Sequence, residues 1–200
     1  MTPLQHDIND LTTFMQSAVF ESLDDCTKAT LERKKTTLCA EYVIDIARTL
    51  HRNKFKGCYA PHKAVMLIAI MRLAERGHWR NNVIVLDDEL KAEFKKVWGE
   101  CVPYGSPFKC EYRNPFTHMD SEDFWDLSGD KNKAFIAQEA YYAFTRAESR
   151  KLIEAFLKST IVNDTVSDEY RSEHPSLRMV AEDLLTVIPA LPLLGVMMVG

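Results

Sequence analysis

Two short blocks of this 200-residue chain carry side chains suited to holding an anion. In Cys58-Tyr59-Ala60-Pro61-His62-Lys63 the proline sets the backbone angle of a helix start, which puts His62 and Lys63 in the first turn. Backbone N–H groups there point outward with partial positive charge, an arrangement that suits phosphate, and Lys63 adds a full charge. Arg52, Lys54 and Lys56 feed the same loop. The second block is Asn114-Pro115-Phe116-Thr117-His118, followed by Phe124-Trp125. Interleaved aromatic and polar residues can line a nucleotide-sized cavity. Phe116, Phe124 and Trp125 read as half-buried sheet core, whereas Asn114, Pro115 and His118 lie off any apolar period and read as surface.

Catalytic readings are weaker. Glu89-Leu90-Lys91 and Glu93-Phe94-Lys95 have the Glu-x-Lys spacing of one nuclease group, but both fall on a helix, where alternating charge is normally a solvated face. Cys58 and His62 are four apart, yet Cys101 and Cys110 lack the close pairing of a structural zinc site. No Ser-His-Asp, Cys-His or Gly-rich phosphate cradle stands out. The residues imply no catalytic group, no metal and no cofactor.

The formal net charge is -4, but a polyanion responds to local charge. From Ile46 to Ala74 there is no acid, while Arg48, Arg52, Lys54, Lys56, Lys63 and Arg72 are cationic. Five cysteines without repeating spacing, and no cleavable apolar leader, point to a reducing, cytoplasmic setting. The stretch from Leu184 to Val199 is apolar but interrupted by Pro189, Pro192 and Gly195, and falls short of the ~20 residues of a membrane span. Packing on the domain, or oligomer formation, is the expectation for it.

Several elements must position these blocks. Leu4, Ile8, Leu11, Met15 and Val19 recur at helical spacing up to Ser22, and a polar, Lys-rich break is expected from Asp24 to Thr37. Cys39 to Leu50 reads as a second helix. Pro61 opens a third, apolar nearly all round from Ala64 to Ala74, which belongs in the middle of a core. Gly77 closes it, Val83 to Leu86 reads as a strand, and Asp87 caps a fourth helix through Trp98. Phe108 to Leu127 is expected to hold two extended segments, NPFTHM and DFWDL, joined by an acidic turn. Thr145 and Glu148 have capping-box spacing before a helix from Ala147 to Ile161, and His174-Pro175 starts a last one. The expectation is an α+β domain, mostly helical, with a central buried helix, a small strand region and C-terminal helices. It spans 1–162, with 163–200 as a helical, apolar appendage.

Taken together, LHRNKFKGCYAPHKAVMLIAIMRLAERG, SPFKC, NPFTHMDSEDFWDL and AFIAQEAYYAFTRAESRKLIEAFLKSTI resemble the DNA sulfur-binding domain of McrA-type HNH restriction endonucleases over about Leu38 to Ile161. The resemblance implies a DNA-binding module of a bacterial restriction or defence system that recognises phosphorothioate-modified DNA. His62 and Lys63 would form the polar and cationic side, and Asn114, Pro115 and His118 an apolar cup for sulfur. Arg52, Lys54 and Lys56 would hold flanking phosphates, and Lys131 or Lys133 would reach a base or groove. Asn114 stands where family cups often carry Tyr, and Lys63 where an Arg often follows the His. No HNH motif appears after Asn163, so a separate nuclease partner is implied. Two alternatives stay open: a divergent or truncated metal-dependent endonuclease, and a protein-interaction domain that has lost DNA binding.

Overall fold

A computed structural model describes residues 2–104 and 106–165. The fold is α+β and mostly helical, with two small antiparallel sheets. The expected His174 helix and the apolar stretch from Leu184 to Val199 lie outside the described residues. Among those described, no helix is long and apolar enough to cross a membrane.

The chain opens with α1 (Pro3–Met15), α2 (Ala18–Glu21) and the long α3 (Asp25–Thr49). Thr2 caps α1 with a reciprocal capping box to Gln5, and Ser17 caps α2, so the expected single helix is split at Gln16-Ser17. The polar segment from Asp24 to Thr37 is no break: it is the first half of α3. Asp24 accepts from the Thr27 N–H at 2.9 Å and from the Thr27 hydroxyl at 2.6 Å. The straight-chain Lys, Glu, Arg and Leu residues that follow are good helix formers. Polarity marked exposure there, and not loss of helix. Only the second half of α3 is buried, through Cys39, Ala40, Tyr42, Val43, Ile44 and Ala47.

A hairpin follows, β1 (Lys54–Phe55) and β2 (Cys58–Tyr59), with Lys54 opposite Tyr59 and Phe55 opposite Cys58. Its two turn residues, Lys56 and Gly57, have φ of 49° and 80°, the left-handed pair that a two-residue hairpin turn requires. Next comes α4 (His62–Glu75), the centre of the molecule: every residue from Ala64 to Met71 is at most 1% exposed. Gly77 ends it at φ 72°, where its N–H bonds to Ala74 O and that of His78 to Leu73 O, a Schellman closure.

The rest of the chain encloses α4. The three-stranded sheet has the order β3 (Val83–Val85), β5 (Lys133–Ile136), β4 (Trp125–Leu127). It turns Ile84, Ala134, Ile136 and Trp125 inward while Phe135 and Asp126 face out. Helices α5 (Asp88–Cys101), α6 (Arg113–His118), α7 (Gln138–Thr145) and α8 (Ala147–Asp164) all pack on α4. Asp87 caps α5 as expected, accepting from Leu90 N–H at 2.8 Å.

Two further expectations fail. NPFTHM is helical, not extended, because Pro115 sits in the first turn of α6, where a missing N–H costs nothing, and Phe116 and Met119, three apart, are both fully buried. Thr145 does not cap α8. It is the last residue of α7, its hydroxyl donates to Tyr142 O at 2.8 Å, and the extended Arg146 separates the two helices.

Leu67→Ala is expected to cost about 2–5 kcal/mol, the range for an enclosed leucine. No atom lies within 4 Å of a Cβ added at Gly77, so Gly77→Ala should cost only the left-handed conformation, about 1–2 kcal/mol. Urea unfolding followed by circular dichroism measures both. A larger loss at Gly77 than at Leu67 would contradict the central role given to α4.

Candidate nucleic-acid interface

A cleft of about 780 Å³ lies between the end of α3, the start of α4 and helix α6. Its walls include Arg52, His62, Lys63, Asn114, Pro115, His118 and Lys131. Residues far apart in sequence thus meet in one place. Lys54, Lys56 and Lys133 do not line it; the first two sit on the adjoining hairpin and the third on β5.

Local structure explains the convergence. In α6, Phe116 points into the core and packs edge-on against Trp125 at 5.1 Å, which leaves Asn114, Pro115, Thr117 and His118 on the cleft side. Asn114 and His118, one turn apart, are exposed, while Pro115 is buried in the cleft wall. Glu111 accepts from the Arg113 N–H at 2.9 Å and so occupies part of the first turn of α6. At α4 no side chain caps the first turn, whose N–H groups are left to whatever occupies the helix start.

His62 is locked in place. Its Nε2 lies 2.8 Å from the Lys109 carbonyl, which can only accept, so Nε2 carries the proton. The ring packs against Trp98 at 4.7 Å and meets Phe108 edge-on at 5.9 Å. Burial pushes its pKa below the ordinary histidine value, against the opposing pull of the Lys109 carbonyl and Glu111. At neutral pH His62 is therefore an uncharged wall.

The cationic run is largely neutralised by acids, one of them a helical turn away and the others from distant segments. Arg48 pairs with Asp45 at 2.6 Å, and Arg52 with Asp164 at 2.8 Å. Arg72 is held by Glu100 at 2.6 Å and Glu154 at 2.9 Å. Lys63 is buried and ion-paired with Glu122, and its ammonium also reaches Ser121 Oγ at 3.3 Å. Lys63, read from the sequence as a full charge at the helix start, is thus a paired, nearly enclosed one. No carboxylate among the described residues pairs with Lys54 or Lys56, which lie over the rings of Tyr59 and Phe55 at 5.2 and 5.5 Å. Lys131 is exposed, on a backbone held at φ 57° by the turn between β4 and β5. Asp45 lies just before the acid-free stretch, and the partners of Arg52, Lys63 and Arg72 are hidden because they lie many residues away. Glu122 and Asp164, as well as the Trp98 and Phe108 walls around His62, carry no local signal.

The catalytic candidates are engaged elsewhere. Glu93 is 5% exposed and paired with Arg76 at 2.6 Å, and Glu89 contacts His78 at 3.0 Å. Neither lines the cleft. Among the described residues, no three His, Cys, Asp or Glu side chains gather as a metal site. The five cysteines are unpaired thiols, and burial pushes that of Cys39 up to about 12, which keeps it protonated. No family model matches the chain, and no curated protein matches it either.

His62 yields a sign-definite pH effect. Its folded pKa lies below the ordinary value of about 6.5, so the unfolded chain takes the proton first as pH falls. The stabilisation from the neutral ring is full above about pH 6.5 and is lost progressively below it. Urea unfolding at about pH 7.5 and about pH 5.5 should show a smaller pH-dependent loss in His62→Phe than in the parent chain. Equal losses would mean that His62 is not held neutral.

Proposed function

We propose that this chain is a DNA-binding module of a bacterial restriction or defence system. It seats one backbone group of the duplex, in its phosphorothioate form, in the cleft between α4 and α6. The module holds DNA and leaves cutting to a separate nuclease. What supports the reading is the meeting of the APHK and NPFTHM blocks on a single cleft that combines an uncapped helix start, a cation and an apolar wall. Sulfur is larger, more polarisable and a poorer hydrogen-bond acceptor than oxygen, so it gains more from a wall such as Pro115 and Phe108 than from a ring of donors. Lys54, Lys56 and Lys131 around the cleft are the cations available to flanking phosphates, which position a protein on DNA without reading sequence. Arg52, held by Asp164, instead braces the wall.

Matched duplexes with and without one phosphorothioate test this directly. The modified duplex should bind about tenfold more tightly, and both affinities should fall with salt. Lys54→Ala, Lys56→Ala and Lys131→Ala should each flatten the logarithmic salt slope by about 0.9 if each lysine contacts one phosphate. Pro115→Ala should reduce the preference for sulfur with little change in slope. No binding at low salt would sink the reading. Magnesium- or manganese-dependent cleavage of duplex lost in Glu89→Ala would replace it with an endonuclease.

A further inference from the structure

Lys63 lines the cleft, whereas its partner Glu122 does not. The carboxylate is seated behind the ammonium, and the two side chains are 9% and 11% exposed. Glu122 is fixed there by more than Lys63. The same oxygen, Oε1, accepts from the His51 N–H at 3.1 Å and from Ser121 Oγ at 3.3 Å. Ser121 Oγ also lies 3.0 Å from His118 O, so its one hydroxyl proton is shared between Glu122 and the end of α6. The cleft floor therefore presents an oriented dipole, positive end outward, in place of a net positive charge.

We infer that Glu122 is a specificity-determining residue that sets how much negative charge the cleft accepts. This rests on the reading that the cleft receives a phosphate-type group. A bare buried ammonium would draw most strongly on a dianion, such as inorganic phosphate or a terminal phosphate monoester. With Glu122 behind it, each negative charge on the ligand is drawn by the nearer ammonium and repelled by the carboxylate, so a second charge gains much less than it would from a bare ammonium. A singly charged diester, as in an unbroken DNA backbone, loses least by this arrangement. It then depends on contact with the apolar wall, which is where sulfur and oxygen differ. Glu122 thus selects the internal backbone over strand ends and free phosphate.

The test titrates the full chain, its Glu122→Gln form and its Asp120→Asn form with inorganic phosphate and with dimethyl phosphate, read by amide chemical shifts around Lys63 and Asn114. Asp120 is an exposed acid of the same cleft and serves as the control. Glu122→Gln should bind inorganic phosphate at least about tenfold more tightly than the parent, with a much smaller gain for dimethyl phosphate. Asp120→Asn should change both by about twofold or less, since its field is screened by solvent. Equal phosphate affinity in parent and Glu122→Gln, or an equal gain in Asp120→Asn, would overturn the inference. If Glu122→Gln fails to fold, Glu122→Asp draws the carboxylate back while keeping the pair. It should shift selectivity toward the dianion in the same sense, and no shift would again overturn the inference. Duplex binding by the parent separates the two levels. Its absence, with phosphate gained in the variant, would remove the DNA reading and leave the role of Glu122 intact.

Discussion

From Ala64 to Met71 helix α4 has no solvated face, and a helix of that kind persists only where other elements enclose it. Helices α5, α6, α7 and α8 supply that enclosure directly. The sheet contributes Ile84, Ala134, Ile136 and Trp125 to the same core. The cleft is a by-product of the arrangement. The first turn of α4 emerges from the core at Pro61, and α6, anchored by Phe116 and Met119, is pressed beside it. The cleft lies where enclosure of the central helix stops.

That origin accounts for what the amino-acid sequence discloses. The central helix, its glycine stop and the Asp87 cap are local signals, written in residues within one or two turns of each other. The Asn114 to His118 segment misleads because a single helical turn offers only one i, i+3 apolar pair, Phe116 and Met119, which is too short a pattern to outweigh a proline and two polar neighbours. The first half of α3 misleads for a different reason: it is helical on propensity and capping while staying wet, so hydrophobic periodicity is absent where helix is present. Five candidate residues of the two blocks meet at one cleft, together with Arg52 and Lys131, yet the pairing of their charges is illegible from sequence. It depends on Glu122 and Asp164, which no spacing rule connects to Lys63 and Arg52.

The electrostatics follow from burial more than from composition. An unpaired ammonium as enclosed as Lys63 would be strongly destabilising, and removal of one partner from such a pair typically costs about 3–5 kcal/mol. A cation at a helix start also opposes the helix dipole. Glu122 offsets both effects and thereby allows a lysine to stand where the backbone alone would disfavour it. The exposed lysines of the hairpin need no such support. Their ammonium groups sit over the Tyr59 and Phe55 rings and stay exposed to solvent.

The pairings that define the cleft span 59 residues from Lys63 to Glu122 and 112 from Arg52 to Asp164. Chain segments that far apart meet only after long loops have closed, and loop closure slows folding. On a ribosome, which releases the N-terminal part first, Arg52 and Lys63 emerge well before either carboxylate. The half-made chain therefore carries Arg52 and Lys63 without the carboxylates that pair with them in the finished protein, where Lys54 and Lys56 stay exposed. Completion of α8 is then the event that sets Asp164 against Arg52 and makes the last of these pairings.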